Sequence, residues 1–413
     1  MAGLKWLQKK LLRRRKKASG FIRNKDLLPL LPADRPSILT PSSSSEHLVS
    51  FSSYGLFQRL PYEIRRKILI EAFGGRTLHM YLEFSYPFVR KSGEQTEIRH
   101  CDIGVNLTWD TTLAIRRWEW FGCVCHRPAK WPKDSDDFGL TGRPLSSEGF
   151  EIPKTRPCED KCQGGTPDPI ECGPLQGKGP SRCFIGVMGW LLSCRQAYAD
   201  GIDVLFATNT FHLRSPDLLE HLPEMILPQR LRVIPSLEMC WLGQFDGFTT
   251  LSLWKNPTKE DSDLHALCRM AKEAFPGAFH LDISLLGNIK PAPDSFLGPT
   301  RADTLMLTAS AIESVILGPV ESILRALGPG REFSITIPIE AWDIISHRHR
   351  VLYGQRLRIE RYGRREVRLW KVLDPGDELG YWIRRGGPEF ILPSHVVCYM
   401  GGGADARKPH NWI

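Results

Sequence analysis

A chain of 413 residues with 42% hydrophobic and 24% charged residues sits near the averages for folded proteins. That excludes wholesale disorder and allows two or three domains. The formal net charge of +9 is local, because residues 1–25 hold ten basic residues and no acid, which leaves −1 for the remaining 388. A nucleic-acid reader carries its cations on the fold itself, so the nearly neutral body argues against that class for the chain as a whole.

Residues 1–25 admit three readings. Leu4, Trp6, Leu7 and Leu11 among lysines fit a short amphipathic helix on an anionic membrane surface. The run RRRKK at 13–17 fits a nuclear-import patch. A block of like charge also fits a solvated, disordered arm. No 7–15-residue apolar stretch and small-residue cleavage site follow the basic region, so a secretory signal is not expected. Residues 26–55 read as a linker, with four prolines and a run of four serines.

Ordered structure is expected from residue 56. In LFQRLPYEIRRKILIEAF, Leu60, Ile64 and Ile68 recur at i, i+4 and i+8, with Leu69 and Phe73 following, the spacing of an amphipathic helix. Pro61 suits its first turn, and Gly74-Gly75 ends it. RTLHMYLEF then alternates as a half-buried strand does. Residues 127–182 hold nine prolines and eight glycines and read as a disordered insertion.

From residue 183 the pattern alternates strand with helix. A single long helix is expected from about 187 to 206, with apolar strands near 211, 237, 281 and 335 and helices over 216–226, 260–274 and 306–327. Such alternation implies βα units with neighbouring, largely parallel strands. RLRIERYGRREVRLWKVL and GYWIRRG read as antiparallel strands. No apolar run in the sequence reaches the length of a transmembrane span, so none is expected.

Candidate chemistry is sparse. The eleven cysteines are odd in number and several sit in apolar stretches, which points to reduced thiols in an intracellular protein, cytoplasmic or nuclear. Cys158 and Cys162 have zinc-pair spacing, but Cys123, Cys125 and His126 are too close together to turn onto one centre, and neither metal nor cofactor is expected. The run GPLQGKG at 173–179 is one residue short of a phosphate loop and lacks its Ser/Thr. His212 and His280 read as core or edge residues with a hydrogen-bond partner, and His347 to Arg350 as a solvated helix end. Trp109, Trp118, Trp120 and Trp131 read as core and lid of the first strand layer. No nucleophile, base and orienting partner are indicated together, so no enzymatic activity is expected.

LPYEIRRKIL at 60–69 resembles the opening helix of F-box and F-box-like domains. LLSCRQAYADGIDVLFATNTFHL at 191–213 resembles the segment that follows it in filamentous-fungal F-box-like proteins. Together with WEWFGCVCHR at 118–127 and LPQRL at 227–231, the chain looks like a fungal family known as domain of unknown function 7730. The resemblance runs loosely over most of residues 55–390 and closely over the two helical stretches.

Joined to the pattern above, it gives the expectation of a mixed α/β fold: F-box-like helices packed on irregular βα units, antiparallel strands near the C-terminus, and long disordered segments. Composition and pattern divide the chain into 1–55 disordered basic arm and linker, 56–126 F-box-like helix with first strands, 127–182 disordered insertion, 183–400 main βα body, and 401–413 tail. The resemblance further implies a protein–protein interaction module whose partner is the adaptor subunit of a cullin-type ubiquitin ligase, met by Leu60, Pro61, Ile64 and Ile68. One departure stands out: an F-box runs its helices consecutively, whereas here a strand follows the first helix and the next comes only after residue 183. The competing reading is a scaffold domain without a ligase role, in which Leu60, Ile64, Ile68 and Leu69 are core packed on the helix at 187–206.

Overall fold

The computed structural model describes residues 28–32, 55–85, 88–90, 107–109, 117–125, 185–214, 216–242, 263–286, 300–354, 358–362, 365–373 and 379–386. The insertion at 127–182, the tail at 401–413 and most of the arm and linker lie outside them.

A nine-stranded mixed sheet forms the body, in the order β4-β1-β5-β6-β7-β8-β11-β10-β9. Its strands are β1 (Thr77–Ser85), β4 (Arg117–Val124), β5 (Thr210–Arg214), β6 (Ser236–Leu242), β7 (His280–Leu286), β8 (Glu332–Ile337), β9 (Ile359–Tyr362), β10 (Arg365–Val372) and β11 (Gly380–Arg385). Six of them, β1-β5-β6-β7-β8-β11, are mutually parallel, while β4 at one edge and the β9–β10 hairpin at the other run antiparallel to their neighbours. The strand GYWIRR is therefore antiparallel only to β10 and pairs in parallel with β8, a correction to the purely antiparallel reading. Two short strands, β2 (Phe88–Arg90) and β3 (Leu107–Trp109), make a separate antiparallel pair.

The helices are α1 (Tyr62–Phe73), α2 (Val187–Leu191), α3 (Arg195–Thr208), α4 (Pro216–Met225), α5 (Pro228–Leu231), α6 (Asp263–Ala274), α7 (Arg301–Ile312), α8 (Gly318–Leu327) and α9 (Ile339–Tyr353). From β1 to β11 each new parallel strand joins the same side of the last, so right-handed crossovers place the connecting helices on one face. That face is the main core, where Phe211, Met239, Ile283 and Ile335 of the strands meet Leu222, Leu267, Ile316 and Trp342 of the helices. α7 and α8 join through a wider π-helical turn, Glu313–Leu317. The resulting run, Ala302–Leu327, is long and apolar enough to cross a membrane by length and composition, but half of its most apolar window is buried within the fold. Its Ala, Ser, Thr and Gly residues hide this length from a search for unbroken apolar stretches.

The long helix expected over 187–206 is two helices. Cys194 adopts extended backbone between them, and its Sγ accepts the Ala197 N–H at 3.4 Å as the N-cap of α3. The sequence reading places a helix end at His347 to Arg350, and the helix it belongs to is α9, whose start at Ile339 it does not anticipate. Within the segment read as linker, Leu28 packs against the main core and the Leu31 N–H donates to the Glu224 carbonyl at 2.9 Å.

Candidate functional site

α1, α2 and α3 build a second, smaller core from Leu69, Phe73, Val187, Leu191, Ile202 and Val204. Residues 73 and 187 lie far apart in sequence, so long-range contacts hold this module together. Arg65 Nε donates to Asp200 Oδ2 at 2.9 Å, and Gln196 Nε2 holds the other oxygen of that carboxylate at 2.8 Å. Asn209, buried after the end of α3, donates to the carbonyls of Phe73 and Leu205 and accepts the Arg76 N–H, each at 2.9 Å. One amide side chain thereby ties the end of α1, the end of α3 and the start of β1 together. At Gly201 an added Cβ would lie 2.6 Å from Trp190 Cδ1, so only glycine admits the close approach of α2 to α3. Arg230 of α5 pairs with Asp203 of α3, linking the module to the body.

The apolar positions of α1 split into two ridges. Leu69 and Phe73 point into the module core, Leu69 being 2% exposed. Ile64 and Ile68 are 42% and 40% exposed, Pro61 is exposed, and Leu60 is half-buried. A residue advances about 100° around a helix, so Ile64 and Ile68 lie on a different face from Leu69 and Phe73. The single buried stripe expected under the scaffold reading is thus corrected: only its Leu69 side packs on α3. Leu56, Met188 and Leu192 add further exposed apolar side chains on this module.

A second constellation lies on the sheet face opposite the main core. Central parallel strands usually read as near-continuous apolar runs. Here alternate residues are polar and buried: His79, His212, Glu238, Asp282, Ser284, Ser334, Thr336 and Arg384. In register, His79, His212, Glu238, Asp282 and Ser334 form one row across five strands. Asp282, at 0% exposure, accepts from Ser284 Oγ at 3.2 Å and from Ser334 Oγ, and pairs with Arg384 Nη1 at 2.9 Å. His212 Nδ1 lies 3.6 Å from Glu238, and the His79 and His212 rings are 4.6 Å apart. At the row's far end Trp382 is flanked by the guanidinium groups of Arg368 and Arg358, 4.3 and 4.9 Å from its ring centroid.

His280 pairs with Glu332 at 3.4 Å. Burial pulls the His280 pKa down, but the Glu332 hydrogen bond and the charges of Asp282, Glu332 and Glu238 outweigh it and leave the pKa raised. Glu332 is held below its ordinary value, chiefly by the same hydrogen bond. His212 is a core residue and His280 is paired with Glu332, as the sequence reading has it, but the contact of His212 with Glu238 at 3.6 Å is longer than the hydrogen bond that reading expects. The arrangement can neutralise charge internally and fix strand register, since a one-residue slip would place these groups in the apolar core.

Two further networks lie among the helices and on the sheet edge. Glu313, at the π-helical turn, accepts from His349 Nε2 at 2.8 Å and pairs with Arg348 at 3.4 Å. Burial raises its pKa, yet the His349 hydrogen bond and the Lys371, His349 and Arg348 charges leave it lowered. Glu321 takes the Tyr381 hydroxyl at 2.9 Å and Lys371 Nζ at 2.7 Å, while burial first and Glu321 second hold the Tyr381 pKa well above its ordinary value. His349 is 2% exposed, which corrects the solvated-end reading for that residue, although His347 and Arg350 are exposed.

Sequence reasoning missed these groups because they pair across distant elements. The detectable signal was polar residues at alternate positions in HLDISLL and EFSITI. Among the described residues no three His, Cys, Asp or Glu side chains converge as metal ligands would. Cys158, Cys162 and Trp131 lie outside those residues; Trp118 packs against the core and Trp120 is exposed. An open groove of about 290 Å³ runs between α4, α5 and α6, floored by Leu231, Met270 and Ala274 and rimmed by Glu220, Arg232 and Arg269.

These features define a mixed α/β body that carries a small helical module with an exposed apolar ridge. Residues 151–264 match a family model described as Domain of unknown function (DUF7730). The match takes in α2, α3, β5, α4, α5 and β6, begins within the stretch read as an insertion, and leaves α1 outside. No curated protein and no solved structure matches the chain.

Proposed function

We propose that α1–α3 form an F-box-like docking module and that this protein is a non-enzymatic interaction protein. Its partner is the adaptor subunit of a cullin-type ubiquitin ligase, and it acts inside the cell. The observation that carries the reading is the exposed ridge of Pro61, Ile64 and Ile68 on a helix whose other apolar side already packs on α3. A folded module gains only part of the burial energy of two isoleucines left some 40% exposed, whereas a partner groove would bury the rest. The interrupted order of the helices is no obstacle to this reading, because Arg65, Asp200 and Asn209 join α1 to α3 across the intervening residues.

The test is affinity purification of the intact chain beside an Ile64→Ala/Ile68→Ala variant. Loss of two exposed apolar anchors should weaken adaptor recovery at least about tenfold while leaving the protein folded. Equal adaptor recovery with both chains, or none with either, would favour the alternative of a scaffold domain with no ligase role.

A further inference from the structure

The residues Leu28–Pro32 stand alone in the described chain between two long segments, yet they are seated on the body. Leu28, Pro29 and Leu31 are half-buried, Leu30 and Pro32 are exposed, and Leu28 packs against the main core. The Leu31 N–H donates to the Glu224 carbonyl at 2.9 Å.

That carbonyl is a prepared acceptor. Glu224 lies in the last turn of α4, where backbone carbonyls have no partner within the helix. A carbonyl there is satisfied by the N–H four residues on if the chain continues helically, but that position is Pro228, which has none. Pro223 likewise removes the N–H that would meet the Leu219 carbonyl. By contrast, Leu222 is capped normally, its carbonyl taking the Ile226 N–H at 3.0 Å. The end of α4 thus leaves the Glu224 carbonyl as an acceptor at a corner bordered by apolar side chains, and Pro223 and Pro228 both line the open groove beside α6. An extended peptide supplies what this corner lacks: an N–H at one residue and aliphatic side chains on either side of it.

We propose that the α4–α5 corner is a docking site for a short, extended Leu/Pro-rich peptide, occupied in cis by this chain's own Leu28–Pro32. The occupant is identified because it is seated there. The consequence concerns the ten cations of residues 1–25. Only residues 26 and 27 separate Lys25 from Leu28, so three residue steps of chain hold its Cα no farther than about 11 Å from the anchor. The anchor at Leu28 thereby limits how far the adjoining cations can lie from the end of α4. The proposal is independent of the adaptor reading, which concerns another surface.

The experiment uses the full chain and a fluorescein-labelled peptide with the sequence of residues 26–33, DLLPLLPA. Leu28→Asp/Leu31→Pro removes the apolar anchor and the donating amide. This variant should bind the peptide saturably, and the unchanged chain about tenfold or more weakly, because a tethered segment competes at millimolar effective concentration. N-methylation of the peptide at the residue matching Leu31 should lower its affinity about three- to tenfold, the worth of one hydrogen bond. A near-UV circular dichroism spectrum confirms that the variant is folded; should it fail, Leu31→Pro alone carries the comparison. Equal binding to both chains, no saturable binding to the folded variant, or indifference to N-methylation overturns the proposal. A dimer of the unchanged chain that dissociates in Leu28→Asp would assign the segment to a second copy and overturn docking in cis.

Discussion

The two ridges of α1 make a sharp prediction about stability. Leu69 is 2% exposed in the module core, so Leu69→Ala removes a filled core side chain and should cost about 2–5 kcal/mol, a transfer contribution plus a cavity. Ile68 is its neighbour in sequence and of nearly equal volume, but it is 40% exposed. Truncating it forfeits only part of the ~1.5–3 kcal/mol that full burial brings, and alanine returns a few tenths of a kcal/mol in helix propensity. Ile68→Ala should therefore cost about 1 kcal/mol or less. At roughly 2–4 °C per kcal/mol for a unit of 150–250 residues, Leu69→Ala should lower Tm by about 5–15 °C and Ile68→Ala by no more than about 4 °C. Thermal melts followed by circular dichroism measure both. Equal losses would mean that Ile68 is core after all, and the docking ridge would lose its basis.

Three other outcomes are expected. Asp282→Asn should destabilise the protein by about 3–5 kcal/mol, since it leaves Arg384 without its buried carboxylate, and Asp282→Leu/Arg384→Met should recover much of that in urea titrations. The raised pKa of His280 means that its pairing with Glu332 stabilises fully below the unfolded value near 6.5 and is lost as pH rises through the higher folded value. Stability compared between pH 5.5 and 8.5 should therefore fall less in Glu332→Gln than in the unchanged chain, and identical slopes would refute the assignment. Gly201→Ala should cost about 1–3 kcal/mol by pushing Trp190 off α3, visible as a change in tryptophan fluorescence at the melt; an unchanged Tm would show that α2 yields freely.

Much of the body was legible because its elements are local. The alternation of apolar strands near 211, 237, 281 and 335 with helical stretches implied neighbouring parallel strands, and β5 to β8 follow in that order. The pairing of α1 with the helix near 198 was also anticipated, under the scaffold reading in which an apolar stripe of the first helix is buried on the second. Periodicity could not divide α1's apolar residues between a core and a surface, since Ile68 and Leu69 score alike in any hydrophobic pattern. Nor could it place the start of α9, or reveal that the long helix near 190 breaks at an extended Cys194.

The sequence by itself set most element types, the concentration of positive charge before residue 26, and the succession of the parallel strands β5 to β8, because side-chain spacing and backbone preference act over a few residues. Tertiary structure alone decided which face of α1 stays open, how Asp282 meets Arg384 from a hundred residues away, and why Leu31 finds a carbonyl that Pro228 leaves without its helical donor. Each of these depends on distant groups brought within bonding distance, and a linear pattern carries no record of that distance.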